Sequence, residues 1–345
     1  MRTAKIENHI NKNLGIQLLR TLLSFWVILD HCISKKIKME FDFFFKNRLH
    51  VPCFILISFF FSYKTITERN IIKIRKRFER LLIPYIVYPI IILLINNILF
   101  IFFKINFCGN KYTLHDLIIQ LILGRKIIDV FWFQFYCIWT TLLFVIISFV
   151  MKKNYLIVLE HIYIFSYIIR YSNINYYFFY QYKPIIRYSI GQFVEVMPMS
   201  VSGSFIASLS IISKIKNYYK KVLYFSCVGL FIILKYNIFS NVKRFAFGGI
   251  ILDVGSILFF FIFYLIPLDI IFKYPIIKII INQLTNYTQG IYCFHLIVQR
   301  ILFSRLNSIN KGYLSGCIII HILSYFISFI GEKLTRKTKL VYLFI

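Results

Sequence analysis

Arg20 and His31 stand eleven positions apart inside one apolar stretch of the chain. A cationic or ionisable side chain at mid-bilayer costs about 2.5–3.5 kcal/mol on insertion scales, so such residues face a protein interior or a polar cavity. At about 100° per residue, eleven positions fall within roughly 20° of three full turns. Both side chains therefore share one helix face, about 16 Å apart along the axis. They describe a polar track along one wall of a transmembrane helix. An imidazole exchanges protons near neutrality, and a guanidinium holds anions by paired hydrogen bonds. For Arg20 the competing reading is an ion pair with Glu195 or Asp253 on another helix; for His31 it is a satisfied interhelical hydrogen bond.

The rest of the composition supplies the setting. With 59% hydrophobic residues and a mean hydropathy of +0.73, the chain lies far above the balance of soluble domains. A formal charge of +28 would suit nucleic acid. Here, though, the Lys and Arg fall in short loops between apolar runs, which suits anionic membrane lipids and topology signals; no nucleic-acid partner is expected. The cysteines are scattered without a C-x-x-C pair, which argues against a disulfide framework or a zinc site. No His/Asp/Glu set shows helical ligand spacing, so no metal is expected. The first apolar stretch carries Arg20 and Asp30 and lacks a small-x-small cleavage site. It reads as a retained span, not a signal peptide.

Apolar runs of about 17–25 residues mark spans. They occur at 14–33, 49–66, 81–103, 130–151, 155–169, 188–212, 222–236, 245–266, 287–303 and 312–330. The expected fold is all-α, a polytopic integral membrane protein of about ten transmembrane helices. An even number of spans puts both termini on one side. The basic loop 64–80 places that side in the cytoplasm, at the plasma (inner) membrane. Segment 113–129 mixes apolar and charged residues as an amphipathic surface helix would.

Five sequence pieces resemble the membrane acyltransferase-3 family. LLRTLLSFWVILDHC carries Arg20 and His31 with the family's spacing in its first helix. VPCFILISFFF (51–61) resembles the second-helix run, with Phe59 where Gly is usual. KRFERLLIPY (76–85) is similar to the basic motif closing the first cytoplasmic loop. FWFQFY (131–136) resembles the Trp-Phe helix start, and YTQGIYCFHLIV (287–298) the segment ending in His295. In order, these pieces cover a domain of residues 13–330, leaving 331–345 as a basic cytoplasmic tail.

The resemblance implies an O-acyltransferase that moves an acyl group, commonly acetyl from acetyl-CoA, onto a surface polysaccharide or lipid-linked sugar. Acyl transfer to a hydroxyl needs a base and stabilisation of the oxyanion. His31 is then the candidate general base. Arg20 is its catalytic companion, holding donor phosphate, pantetheine carbonyl or a partner carboxylate. Arg77 and Arg80 are candidate contacts for donor phosphates, although positive-inside anchoring explains the same residues. Asp30, about 100° around the helix from His31, and His295 are further cavity candidates. Acyl-CoA enters as co-substrate and a glycan or glycolipid as acceptor. An exporter of polysaccharide or lipid-linked glycan is the alternative, though no inverted repeat of broken helices is visible. A glycan polymerase would need a long outer loop with several arginines, and the longest, 104–129, has only Arg125.

Overall fold

In hydrocarbon an open chain satisfies its backbone polar groups only by closing them within a helix, and the apolar runs do so. A computed structural model describes residues 13–32, 49–103, 113–124, 132–171, 184–208, 218–235, 250–268, 274–305 and 314–345. In chain order the helices are α1 (Leu14–Cys32), α2 (His50–Thr67), α3 (Ile71–Phe103), α4 (Leu114–Leu123), α5 (Trp132–Met151) and α6 (Tyr155–Tyr171). They continue with α7 (Pro184–Ser208), α8 (Tyr219–Lys235), α9 (Ile250–Leu265), α10 (Pro275–Asn286), α11 (Thr288–Arg305) and α12 (Leu314–Thr335). No strand occurs among the described residues. The chain is a helical membrane protein.

Among the described residues, four stretches are long and apolar enough to cross a bilayer: His50–Thr67, Ile71–Phe102, Phe133–Ile169 and Leu314–Thr335. That is fewer than the ten expected: parts of several expected runs, 209–212 and 245–249 among them, lie outside the described residues, and among those described Leu252–Leu265 is an apolar helix of less than spanning length. The third stretch is interrupted at Lys152, whose φ of 38° and the 3-10 turn Lys152–Asn154 divide it into α5 and α6.

Helix α3 begins ten residues before the apolar run expected at Leu81. Asn70 caps it, its Oδ1 accepting from Lys73 N at 3.0 Å. The helix continues through Pro84 and Pro89. The basic loop thus becomes helical turns, and Arg77 and Arg80, three positions apart, come onto one face. The amphipathic segment forms α4 over its first part, with a Thr113–Asp116 capping box and a left-handed Gly124 at φ 74° closing it. Its residues 125–129 lie outside the described ones. Tyr85 of α3 donates its hydroxyl proton toward the Gln120 and Leu121 carbonyls, tying α4 down.

The main core lies between α1, α2, α5, α7 and α9, where Leu19, Leu56, Phe59, Phe144, Val201 and Phe260 are fully buried. Phe59 packs edge-on against Phe144, centroids 5.2 Å apart, filling the space between α2 and α5. Close helix approach is supplied elsewhere, by Gly203 of α7: a Cβ there would collide with the Leu56 carbonyl of α2. Beyond α12, the 3-10 turn Lys339–Leu343 folds back on α3. There Tyr88 donates to the Leu343 carbonyl and Phe344 stacks on Phe294, centroids 5.4 Å apart.

Replacing Gly203 by Val forces α2 and α7 apart at backbone level. We expect a loss of about 1–3 kcal/mol, the usual cost of overpacking, read as a lower thermal midpoint of the detergent-solubilised protein. An unchanged midpoint would show that the two helices do not meet at this glycine.

Candidate functional site

The site is organised by α1 running parallel to the α10–α11 segment. Thr285 Oγ1 shares its one proton between the Ile281 carbonyl at 2.7 Å and the Gln17 carbonyl at 2.9 Å, Arg20 Nη2 donates to Thr288 Oγ1 at 3.0 Å, and Gln299 Nε2 to the His31 carbonyl at 3.1 Å. Each pair is separated by the same 268 positions. A constant offset over that length means that the helices run in the same direction without slipping.

Arg20 is half-buried. Its partner Thr288 spends its own proton on the Thr285 carbonyl at 3.0 Å, leaving oxygen lone pairs for the guanidinium. No ion pair with Asp253 forms; that carboxylate accepts from Tyr167 at 2.7 Å. The side chain of Glu195 lies outside the described residues.

Arg77 is held from two helices. Its Nε donates to Thr141 Oγ1 of α5 at 3.2 Å, its Nη2 to Ser58 Oγ of α2 at 3.2 Å, and its guanidinium lies over the Phe59 ring at 5.2 Å. Arg80 is exposed, lies over Tyr342 at 5.8 Å, and has its carbonyl bonded by Gln289 Nε2 at 3.0 Å. Arg20, Arg77 and Arg80 all line one cavity of about 910 Å³. The structure therefore brings together three of the residues singled out in the sequence.

The nearby carboxylates go elsewhere. Glu68 pairs with Lys64 at 3.5 Å and Lys73 at 3.8 Å; Glu79 pairs with Arg75 at 3.0 Å and Lys339 at 2.6 Å. Among the described residues no carboxylate contacts any of the three cavity arginines. Guanidiniums held only by neutral groups keep their charge available to an incoming anion, and their forked donors match phosphate oxygens.

His31 and His295 are not in that cavity wall. The last α1 residue lining it is Val27, one turn before His31. His31 is exposed in the final turn of α1, and its ring lies 5.5 Å from that of His295, tilted by 36°. His295 is fully buried, with Nδ1 2.5 Å from the Tyr292 carbonyl. Asp30 is half-buried and does not line the cavity. Residues 33–48, which follow α1, lie outside the described ones.

Several contributors had no signal in the sequence. Ser58, Thr141 and Thr288 are neutral residues that become important only through partners far along the chain. Gln134 sits inside the FWFQFY piece. It lines the cavity, donates from Nε2 to Cys293 Sγ at 3.7 Å, and leaves Oε1 buried without a partner among the described residues. Among the described residues, no three His, Cys, Asp or Glu side chains converge as metal ligands would. The arrangement can hold an anionic group at its arginine end and move a proton at its histidine end.

A family described as an acyltransferase domain matches residues 13–332 of the chain. No curated protein and no solved structure matches it.

The arginine end makes a direct prediction. Replacing Arg77 and Arg80 together by Gln should weaken binding of inorganic pyrophosphate to the purified protein at least tenfold, since hydrogen bonds to charged groups are worth about 1.5–3 kcal/mol each. Calorimetry at low salt reads this. Equal affinity in the double variant would leave these arginines as membrane anchors only.

Proposed function

This chain belongs to the acyltransferase-3 family, and we propose that it is an integral membrane O-acyltransferase. In this reading it carries an acyl group, most simply acetyl, from acyl-CoA to a hydroxyl of a surface polysaccharide or lipid-linked sugar. The observation that supports it best is the cavity where Arg20, Arg77 and Arg80 meet without a carboxylate among the described residues. The same α1 face leads on from this cavity to His31.

Arg77 and Arg80 would take the phosphates of the CoA donor, a polyanion that suits their fixed forks. Arg20 stands about 16 Å from His31 along α1. That distance suits it to the donor's phosphate or pantetheine arm, not to the reacting carbon. The arm has about a dozen bonds, each advancing roughly 1.2 Å as in an extended backbone. It therefore reaches about 14 Å, which carries the thioester of a donor anchored at Arg20 most of the way along the ~16 Å to His31.

There His31 takes the proton from the acceptor hydroxyl as its oxygen attacks the thioester carbonyl. The new C–O bond forms and the carbonyl becomes a tetrahedral oxyanion. As that intermediate collapses the C–S bond breaks, and the leaving thiolate recovers the proton from the His31 imidazolium. Charge is balanced at each step and no metal is called on. We place the arginine end on the cytoplasmic side of the plasma (inner) membrane, where CoA is supplied, with both termini cytoplasmic. The exposed basic residues around it then face anionic lipid headgroups.

His31→Ala should lower acyl transfer by about 10²–10⁴-fold, the usual share of a positioned base, with the protein still inserted. Mass spectrometry of surface glycans from cells carrying each form measures it as loss of one acyl unit per acceptor. Undiminished acylation in the variant would rule out His31 as the base. Glycan movement across vesicles without any acyl donor would favour the exporter instead.

A further inference from the structure

We infer that His295 is a positioning residue for His31, an acceptor kept in reserve for the proton-carrying form of the base. This rests on the acyl-transfer reading above and adds a second imidazole to it.

The inference starts from an accounting of His295. The residue is fully buried in α11, and its Nδ1 faces the Tyr292 carbonyl at 2.5 Å. A carbonyl oxygen only accepts, so Nδ1 carries the hydrogen. A neutral imidazole has one N–H, which leaves Nε2 with a bare lone pair. That atom is buried and has no hydrogen-bond partner among the described residues. The doubly protonated ring would instead bury an unpaired N–H and a charge, a far costlier state.

Leaving a buried acceptor unmatched costs about 1–3 kcal/mol, so an unmatched one next to a reactive group asks for a reason. Tyr292 of its own helix lies 5.9 Å from it between centroids and His321 of α12 also acts on it electrostatically, but the imidazole packed against it is that of His31, at 5.5 Å between centroids, a spacing at which two imidazole edges can come within hydrogen-bond distance of about 3 Å. The backbone is fastened at the same place: Gln299, one turn beyond His295 on α11, holds the His31 carbonyl at 3.1 Å. The two rings are therefore fixed by the helix pair that carries them.

When His31 takes the hydroxyl proton on one ring nitrogen, its other N–H becomes a charged donor. Nε2 of His295 then accepts from it. No covalent bond changes at His295; the proton stays on His31 until the thiolate takes it. The neutral base already carries that N–H, but the hydrogen bond becomes roughly twice as strong once the donor is charged, so it favours the transition state over the resting state. An interaction of that kind raises kcat and leaves substrate binding alone.

The test compares His295→Phe with His295→Gln, whose side-chain oxygen can stand near the place of Nε2. With rates expressed per inserted protein, His295→Phe should lower kcat about 10- to 100-fold, the worth of a hydrogen bond to a charged group. KM for acetyl-CoA should stay within about twofold, and His295→Gln should recover at least threefold over Phe. Should the Phe form be missing from membranes, His295→Met against His295→Gln, two side chains of equal length, carries the same comparison. An unchanged kcat, a loss confined to KM, or a Gln form no better than its apolar counterpart would overturn the role of His295. Those results leave His31 as base untouched. Undiminished transfer by His31→Ala would instead remove the base, and with it this role.

Discussion

The parallel register of α1 with the α10–α11 segment is the constraint on which the site depends. Lipid tails are as apolar as leucine, so burying apolar surface does not by itself tell two membrane helices how far to slide or turn. Polar bonds do. The Gln17–Thr285, Arg20–Thr288 and His31–Gln299 contacts share one offset, and a slip of one position would turn the face by about 100° and break all three. Arg20, which opens onto the cavity, and His31, which faces His295, are both held by this ladder. So is the distance between them. One set of hydrogen bonds thus sets the length of the track and the groups at its two ends.

Charge is distributed around the track with the same economy. Glu68 and Glu79 serve Lys64, Lys73, Arg75 and Lys339 at exposed positions, where ion pairs contribute little to stability. Arg20 and Arg77 are braced by hydroxyls, and Arg77 and Arg80 lie over aromatic rings. A carboxylate on Arg77 would have cancelled the field that an anion feels, and breaking such a pair to admit a ligand would be expensive. Phe59 makes this possible. Where the resemblance leads one to expect glycine, the ring fills the α2–α5 space and carries the Arg77 guanidinium at 5.2 Å. The departure alters packing locally, and Gly203 provides the close approach between α2 and α7.

What the sequence disclosed follows the physics of each signal. Class and helical content were legible because apolar runs of bilayer length have few other uses. The Arg20–His31 pair was legible because charge in such a run is costly, and their common face follows from helical geometry alone. Helix limits were less so. Helix α3 starts before its apolar run because a capped basic segment forms good helical turns, which hydropathy does not register. Helix α10, twelve residues of PIIKIIINQLTN, is too short to read as a span, yet it supplies Thr285 to the ladder. Neutral hydrogen-bonding residues such as Ser58, Thr141 and Gln134 were invisible as site members. Their type carries no cost in the sequence, and their meaning comes from partners brought near only by folding.

The position of His31 at the end of α1, not its middle, is itself informative. His31 has there an exposed side by which a polar acceptor can arrive. Arg20, three turns earlier, has the opposite needs. Its charge is permanent, so in the interior it needs neutral hydrogen-bond partners, and it finds Thr288. A group that must meet an arriving acceptor keeps an exposed side, and a group whose charge is fixed can be carried inside if its donors are satisfied. The two residues occupy the places on one helix that suit those two kinds of work.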